Sequence, residues 1–281
     1  MKVRSRGKVW LAGAMAALLA GGAMLLWQGK EPTMTASVRI TEPDSDDLRE
    51  FASTRVFFGH QSVGGNVISG VAPTFEAAGR PAPAVVETRE SPSAELGVLA
   101  HAHVGVNGDP LGKFRDFADI LNGPLGDGVD VALMKLCYVD VVASTDVNAV
   151  FSAYSAMMAE LENKHPSVRF LYTTVPLSTD RGWKAIVKSW IGRDDQMGPA
   201  DNIARERYNE LVRARYGSSG RLYDIAAVEA TMRDAPTRRD SDGTTYYVLS
   251  DALAADPGHL NELGSRLAAA ELIRVVAGAR S

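Results

Sequence analysis

The stretch Thr54–Asn66, TRVFFGHQSVGGN, decides how the chain is read. A β-branched and aromatic run, Thr54–Phe58, stops abruptly at Gly59, His60, Gln61 and Ser62, and Gly64 and Gly65 follow. A short apolar run of this kind suits a strand covered on both faces. Its polar end admits two readings. In the first, Ser62 is a helix N-cap, a position that favours serine. In the second, Ser62 is a nucleophile held beyond the carboxyl end of a strand. The helix behind it then presents unpaired N–H groups and a positive dipole to a developing oxyanion. Gly64 and Gly65 would let the backbone approach a substrate without Cβ clashes.

Outward from this stretch, strand-like and helix-like segments alternate. Further strands are expected at Ala84–Thr88, Val129–Leu136, Val168–Val175 and Arg221–Ile225. Helices are expected at Phe114–Leu121, Asp146–Lys164, Asn202–Tyr216 and Leu260–Ala277. In Asp146–Lys164, Asp146 suits an N-cap, and Phe151, Tyr154, Met158 and Leu161 recur at three- and four-residue steps. In the last helix Leu263, Leu267 and Ala270 form one stripe. Strands alternating with helices predict a parallel α/β sheet of about five strands in three layers. There is no internal repeat, and residues 48–281 read as one domain.

The N-terminal region reads differently. Lys2, Arg4, Arg6 and Lys8 precede nineteen uncharged residues, 9–27 (VWLAGAMAALLAGGAMLLW). As a helix this run is about 28 Å long, close to the bilayer hydrocarbon thickness. Cations ahead of it keep residues 1–8 in the cytoplasm and send the remainder across. The expectation is an uncleaved signal anchor, a polar linker over residues 28–47, and an extracytoplasmic domain. The competing reading is a cleaved signal peptide and a secreted protein, but QGKEPTMTAS offers no convincing cleavage site.

Charge and cysteine content exclude several classes. A net charge of −4 without basic runs gives no case for nucleic acid binding. The single Cys137 forms no intramolecular disulfide and rules out cysteine-rich zinc sites. His101 and His103 lie two residues apart with no third ligand at metal-like spacing, so no metal and no cofactor are expected.

Near the other end, LAADPGHLNELGSRL carries Asp256 and His259 three residues apart, in a Pro-Gly turn before the last helix. A serine hydroxyl is a weak nucleophile until an imidazole takes its proton, and that imidazole needs a carboxylate to fix its tautomer. The loop could supply both groups. The alternative is capping, with Asp256 as N-cap and Pro257 at the first helical position.

A serine after the first strand and an Asp-x-x-His before the last helix together resemble the SGNH/GDSL hydrolase superfamily. GHQSVG in particular resembles the variant group whose first block reads His-x-Ser-x-Gly. The resemblance spans about Thr54 to Gly278. It implies a flavodoxin-like three-layer fold and metal-free ester hydrolysis through an acyl-enzyme, with Ser62 as nucleophile, Asp256 as orienting acid and His259 as general base. The family's oxyanion hole uses the serine N–H, a glycine N–H from a second block and an asparagine from a third. HVGVNGDPLGK offers Gly105, Asn107 and Gly108 for the second. The tip at CYVD lacks the third-block asparagine, and Asn107 becomes the candidate donor. His60 is expected to bind substrate, to orient the first loop, or to make a structural hydrogen bond.

Three other features stand out. Lys135 inside an apolar strand is expected to pair with Asp140 or Asp109, or to point into the site. Cys137 reads as a small hydrophobe. The segment 181–193 (RGWKAIVKSWIGR) reads as a packed helix, a lid with an aromatic face, or a membrane-surface contact. The function expected is removal of O-acyl groups, O-acetyl among them, from envelope or extracellular carbohydrate or from a small-molecule ester. Lipase, O-acyltransferase, and a catalytically weak carbohydrate-binding or assembly protein are the rivals. The oligomeric state is not legible.

Overall fold

The computed structural model describes residues 41–92, 97–179, 196–232 and 235–280. The expected membrane span at 9–27 and the segment 181–193 lie outside them. Among the described residues no helix is long and apolar enough to cross a membrane.

Strand β1 (Arg55–His60) lies at the centre of a five-stranded parallel sheet, between β3 (Val98–His103) and β4 (Val131–Met134). The order is β2-β3-β1-β4-β5, with β2 (Ala84–Glu87) and β5 (Arg169–Phe170) at the edges. The expected strand at 168–175 is interrupted at Leu171. It resumes as β6 (Tyr172–Thr173), which pairs in parallel with β7 (Leu222–Tyr223). Val56, Phe57 and Phe58 are fully buried because both faces of β1 are covered.

One core holds Val56 and Phe58 with residues of three helices: α1 (Ser45–Ser53), α2 (Val63–Ala77) and α7 (Glu262–Arg280). The opposite core holds Phe57 with residues of α3 (Pro110–Leu121), α4 (Val147–Lys164) and α5 (Pro199–Tyr216). α2 and α7 cross very closely. A Cβ placed on Gly70 would lie 2.1 Å from the Ser265 carbonyl oxygen, so only glycine fits.

Several starts are written in caps. Asp109 accepts from Gly112 N–H with Pro110 behind it, and Asp146 accepts from Ala149 N–H. Two expectations change. The linker does not run to Asp47, because a reciprocal Asp44/Asp47 capping box starts α1 at Ser45. β3 was not foreseen, because alanine and histidine dominate VLAHAH and conceal its alternation.

After the short helix α6 (Ile225–Ala230), the chain makes two β-hairpins. They pair β8 (Thr231–Met232) with β9 (Ala235–Pro236), and β10 (Arg238–Ser241) with β11 (Thr244–Tyr247). A third hairpin, β12 (Ala254–Asp256) and β13 (His259–Leu260), leads into α7.

Candidate active site

Gln61, Ser62, Val63 and Gly64 form a tight turn at the end of β1. Gly64 N–H donates to the Gln61 carbonyl at 3.0 Å, and Ser62 has φ +48° and ψ −110°. These are the angles of the first central residue of a type II′ turn, where glycine is normally required. A serine held there stores backbone strain of roughly 1–3 kcal/mol. Its hydroxyl makes no capping bond to α2. Instead, Ser62 Oγ lies 2.5 Å from His259 Nε2. The N-cap reading of Ser62 therefore fails.

His259 sits on β13 and Asp256 on β12, brought together by the hairpin across Pro257 and Gly258. His259 Nδ1 is 2.9 Å from both carboxylate oxygens of Asp256, and Asp256 Oδ1 also accepts Gly258 N–H at 2.9 Å. A proton on Nδ1 facing the carboxylate leaves Nε2 bare toward the Ser62 hydroxyl. Burial pushes the Asp256 carboxyl up, but the bonds it accepts from Gly258 and His259 outweigh this and hold it below the ordinary range. Asp256 does not cap α7. That role belongs to Asn261, whose Oδ1 accepts Gly264 N–H at 2.9 Å.

Three loops converge beside this trio. Gln61 Nε2 donates to the Gly105 carbonyl at 2.9 Å, tying the end of β1 to the loop after β3. Lys113 and Asp140, both with fully buried side chains, form an ion pair at 2.5 Å that ties α3 to the loop after β4. The ring of Tyr138 meets His259 edge-on at 6.4 Å, and a Cβ on Gly258 would collide with it.

The expected oxyanion donors separate here. Gly105 N–H donates to Asp116 at 2.8 Å and Gly108 N–H to Asp140 at 2.7 Å, so both are committed to carboxylates rather than to the site. For Asp140 the reason is electrostatic: a carboxylate with little access to water draws in nearby N–H groups. Asn107 is exposed, and its Oδ1 accepts from Lys113 Nζ at 2.8 Å, a bond that does not use its NH2 group.

His60 is only 2% exposed and does not reach the site surface. Its Nε2 is 3.1 Å from His101 Nδ1, and burial, with smaller contributions from Lys135, His101 and His103, pushes it down to about 3, so it is neutral. Gly64 serves this packing rather than a substrate, since a Cβ there would lie 2.3 Å from the His60 Cβ. Gly65 faces open space.

Lys135 pairs with neither Asp140 nor Asp109. Its Nζ donates to the carbonyls of Gln61 and Leu136, each at 3.1 Å. Cys137 is buried, and its N–H donates to Asp140. Among the described residues no group of histidine, cysteine and carboxylate side chains is arranged to hold a metal. The sequence gives little signal for Lys113 or Tyr138. A lysine in the first turn of an amphipathic helix reads as solvated, and one tyrosine after a strand reads as a cap on the core.

No known family model matches the chain, and no curated protein sequence matches it. Its fold is similar to solved structures. One, from Desulfitobacterium hafniense, is described as a lipolytic protein of the G-D-S-L family (11% identity, 79% of this chain and 99% of that one, TM-score 0.46). A second, from Veillonella parvula, is a member of the same lipolytic family (15% identity, 77% and 93%, TM-score 0.45). A third is the periplasmic domain of a lipopolysaccharide acetyltransferase from Salmonella ser. Paratyphi A (11% identity, 92% and 94%, TM-score 0.42). Likeness at this level carries no argument about chemistry, which rests on the chain's own geometry.

Proposed function

We propose that the chain is a serine esterase of SGNH type on a flavodoxin-like three-layer fold, acting on O-acyl groups through an acyl-enzyme. The observation that carries the reading is the continuous line from Ser62 Oγ to His259 Nε2 at 2.5 Å and from His259 Nδ1 to Asp256 at 2.9 Å. His259 takes the Ser62 proton as Oγ attacks the ester carbonyl, and Asp256 stabilises the imidazolium. The carbonyl oxygen becomes an oxyanion, met by the Ser62 N–H at the start of α2 and, in this reading, by the NH2 of Asn107. Collapse expels the alcohol, protonated by His259, and water then repeats the sequence on the acyl-serine.

The substrate class, small O-acyl groups on envelope or extracellular carbohydrate, follows from the proposed location. In that proposal residues 9–27 anchor the chain and the domain lies outside the cytoplasm.

A fluorophosphonate probe and p-nitrophenyl esters of increasing chain length test the reading. Ser62→Ala and His259→Ala should each abolish labelling and hydrolysis, and the double variant should be scarcely worse than either, as expected of groups acting as a unit. Labelling that persists in Ser62→Ala would remove the serine mechanism.

A further inference from the structure

We infer that Lys135 is a positioning residue for the oxyanion hole: its ammonium grips the Gln61 carbonyl and so turns and polarises the Ser62 N–H toward the substrate. The inference rests on the esterase reading above.

Lys135 has 0% exposure and donates to the carbonyls of Gln61 and Leu136, with Cys137 Sγ 4.0 Å away. Among the described residues no carboxylate lies within ion-pair distance of it. Burying an ammonium costs several kcal/mol after relaxation, and an apolar side chain of the same length would fill the space without that penalty. What a methionine could not do is hold the Gln61 oxygen.

That oxygen belongs to the peptide joining Gln61 to Ser62. In a trans peptide the C=O and N–H point in opposite directions. A carbonyl drawn inward by the fully buried Nζ, and by Gly64 N–H at 3.0 Å, sends the Ser62 N–H the other way. No acceptor among the described residues takes that N–H.

The cation also draws electron density through the amide, which strengthens the N–H as a donor, because hydrogen bonds in a chain polarise one another. From the 3.1 Å bond and peptide dimensions, Nζ lies within about 5.5 Å of the Ser62 nitrogen. This supplies a physical role for a buried cation in a site whose third-block asparagine is missing and whose Gly105 and Gly108 N–H groups are engaged elsewhere.

The test compares Lys135→Met with the wild-type chain in four measurements: kcat and KM on p-nitrophenyl acetate, the fluorophosphonate reaction rate, the thermal melt, and the low-field proton resonance of the His259–Asp256 bond. The expected result is a kcat lower by on the order of 100-fold with KM within about threefold, since an oxyanion donor acts only in the transition state. The fluorophosphonate rate should fall in parallel, and the low-field proton should remain. Turnover per folded molecule close to wild type would overturn the inference. So would a loss of turnover that takes the low-field proton with it, which marks general damage to the loop. If Lys135→Met does not fold, Lys135→Leu, which also removes the donor, is judged by the same criteria. A wild-type chain that fails to react with fluorophosphonate sinks the esterase reading itself and this inference with it.

Discussion

Replacing Ser62 by glycine and by alanine separates the two things this residue does. At φ +48° any L side chain is strained, and removing the Cβ relieves roughly 1–2 kcal/mol. Glycine returns about 0.5–1 kcal/mol of that through its greater freedom in the unfolded chain. Both variants lose the bond to His259, about 0.5–1.5 kcal/mol in a partly solvated site, so that term cancels between them. Neither loses a cap, because the serine makes none. Ser62→Gly should therefore be more stable than Ser62→Ala by about 1 kcal/mol, and both should be inactive. For a domain of this size the difference is about 2–4 °C in Tm, read by circular dichroism at 222 nm. An alanine variant equal to or more stable than glycine would show that the backbone at Ser62 is not strained. An active alanine variant would show that the hydroxyl is not the nucleophile.

Lys113→Met leaves Asp140 buried without its cation and should lower stability by about 3–5 kcal/mol in a urea titration; a loss under 1 kcal/mol would mean the pair contributes little. His60 is held at about 3 when folded, against an ordinary value near 6.5. Between those pH values only the unfolded chain takes up the proton, so stability is full above about pH 6.5. It falls by up to about 1.4 kcal/mol per unit as the pH drops toward 3. Acid titration of His60→Leu should be flatter by that slope, and identical curves would refute it. Gly70→Ala should cost about 1–3 kcal/mol or more at the α2–α7 crossing, whereas Gly65→Ala, with open space, should be neutral or stabilising by up to about 1 kcal/mol; equal Tm values would contradict the close approach.

Much of the scaffold can be read from the chain because it follows from local rules. Apolar runs announce β1 and β4, and Asp146 announces the start of α4. The Ser62, Asp256 and His259 positions are legible because each ends or begins an element at the sheet's carboxyl edge, where α/β sheets place their ligands. What escapes is long-range polar bookkeeping. That Lys113, and not Lys135, meets Asp140 depends on how α3 docks against the loop after β4. That Gly105 and Gly108 turn their N–H groups to Asp116 and Asp140 depends on carboxylates 11 and 32 residues away. The β3 strand is hidden for a different reason, since its alternation is carried by alanine and histidine instead of branched residues.

The two faces of the sheet are completed at different times as the chain leaves the ribosome. The core around Phe57 draws on residues up to Tyr216. The core around Val56 and Phe58, begun by α1 and α2, stays incomplete until Tyr247 to Val276 arrive, because α7 closes it and is also the element that follows His259. The 197 residues between Ser62 and its partner imidazole make this one of the longest-range closures in the fold. Such contacts form late and slowly. A chain halted after α6 thus carries a nearly finished sheet with one apolar face still uncovered where α7 packs, a species prone to aggregate. Appearance of ester hydrolysis in a synchronised translation would mark the docking of α7, and the reaction itself would serve as a clock for the last step of folding.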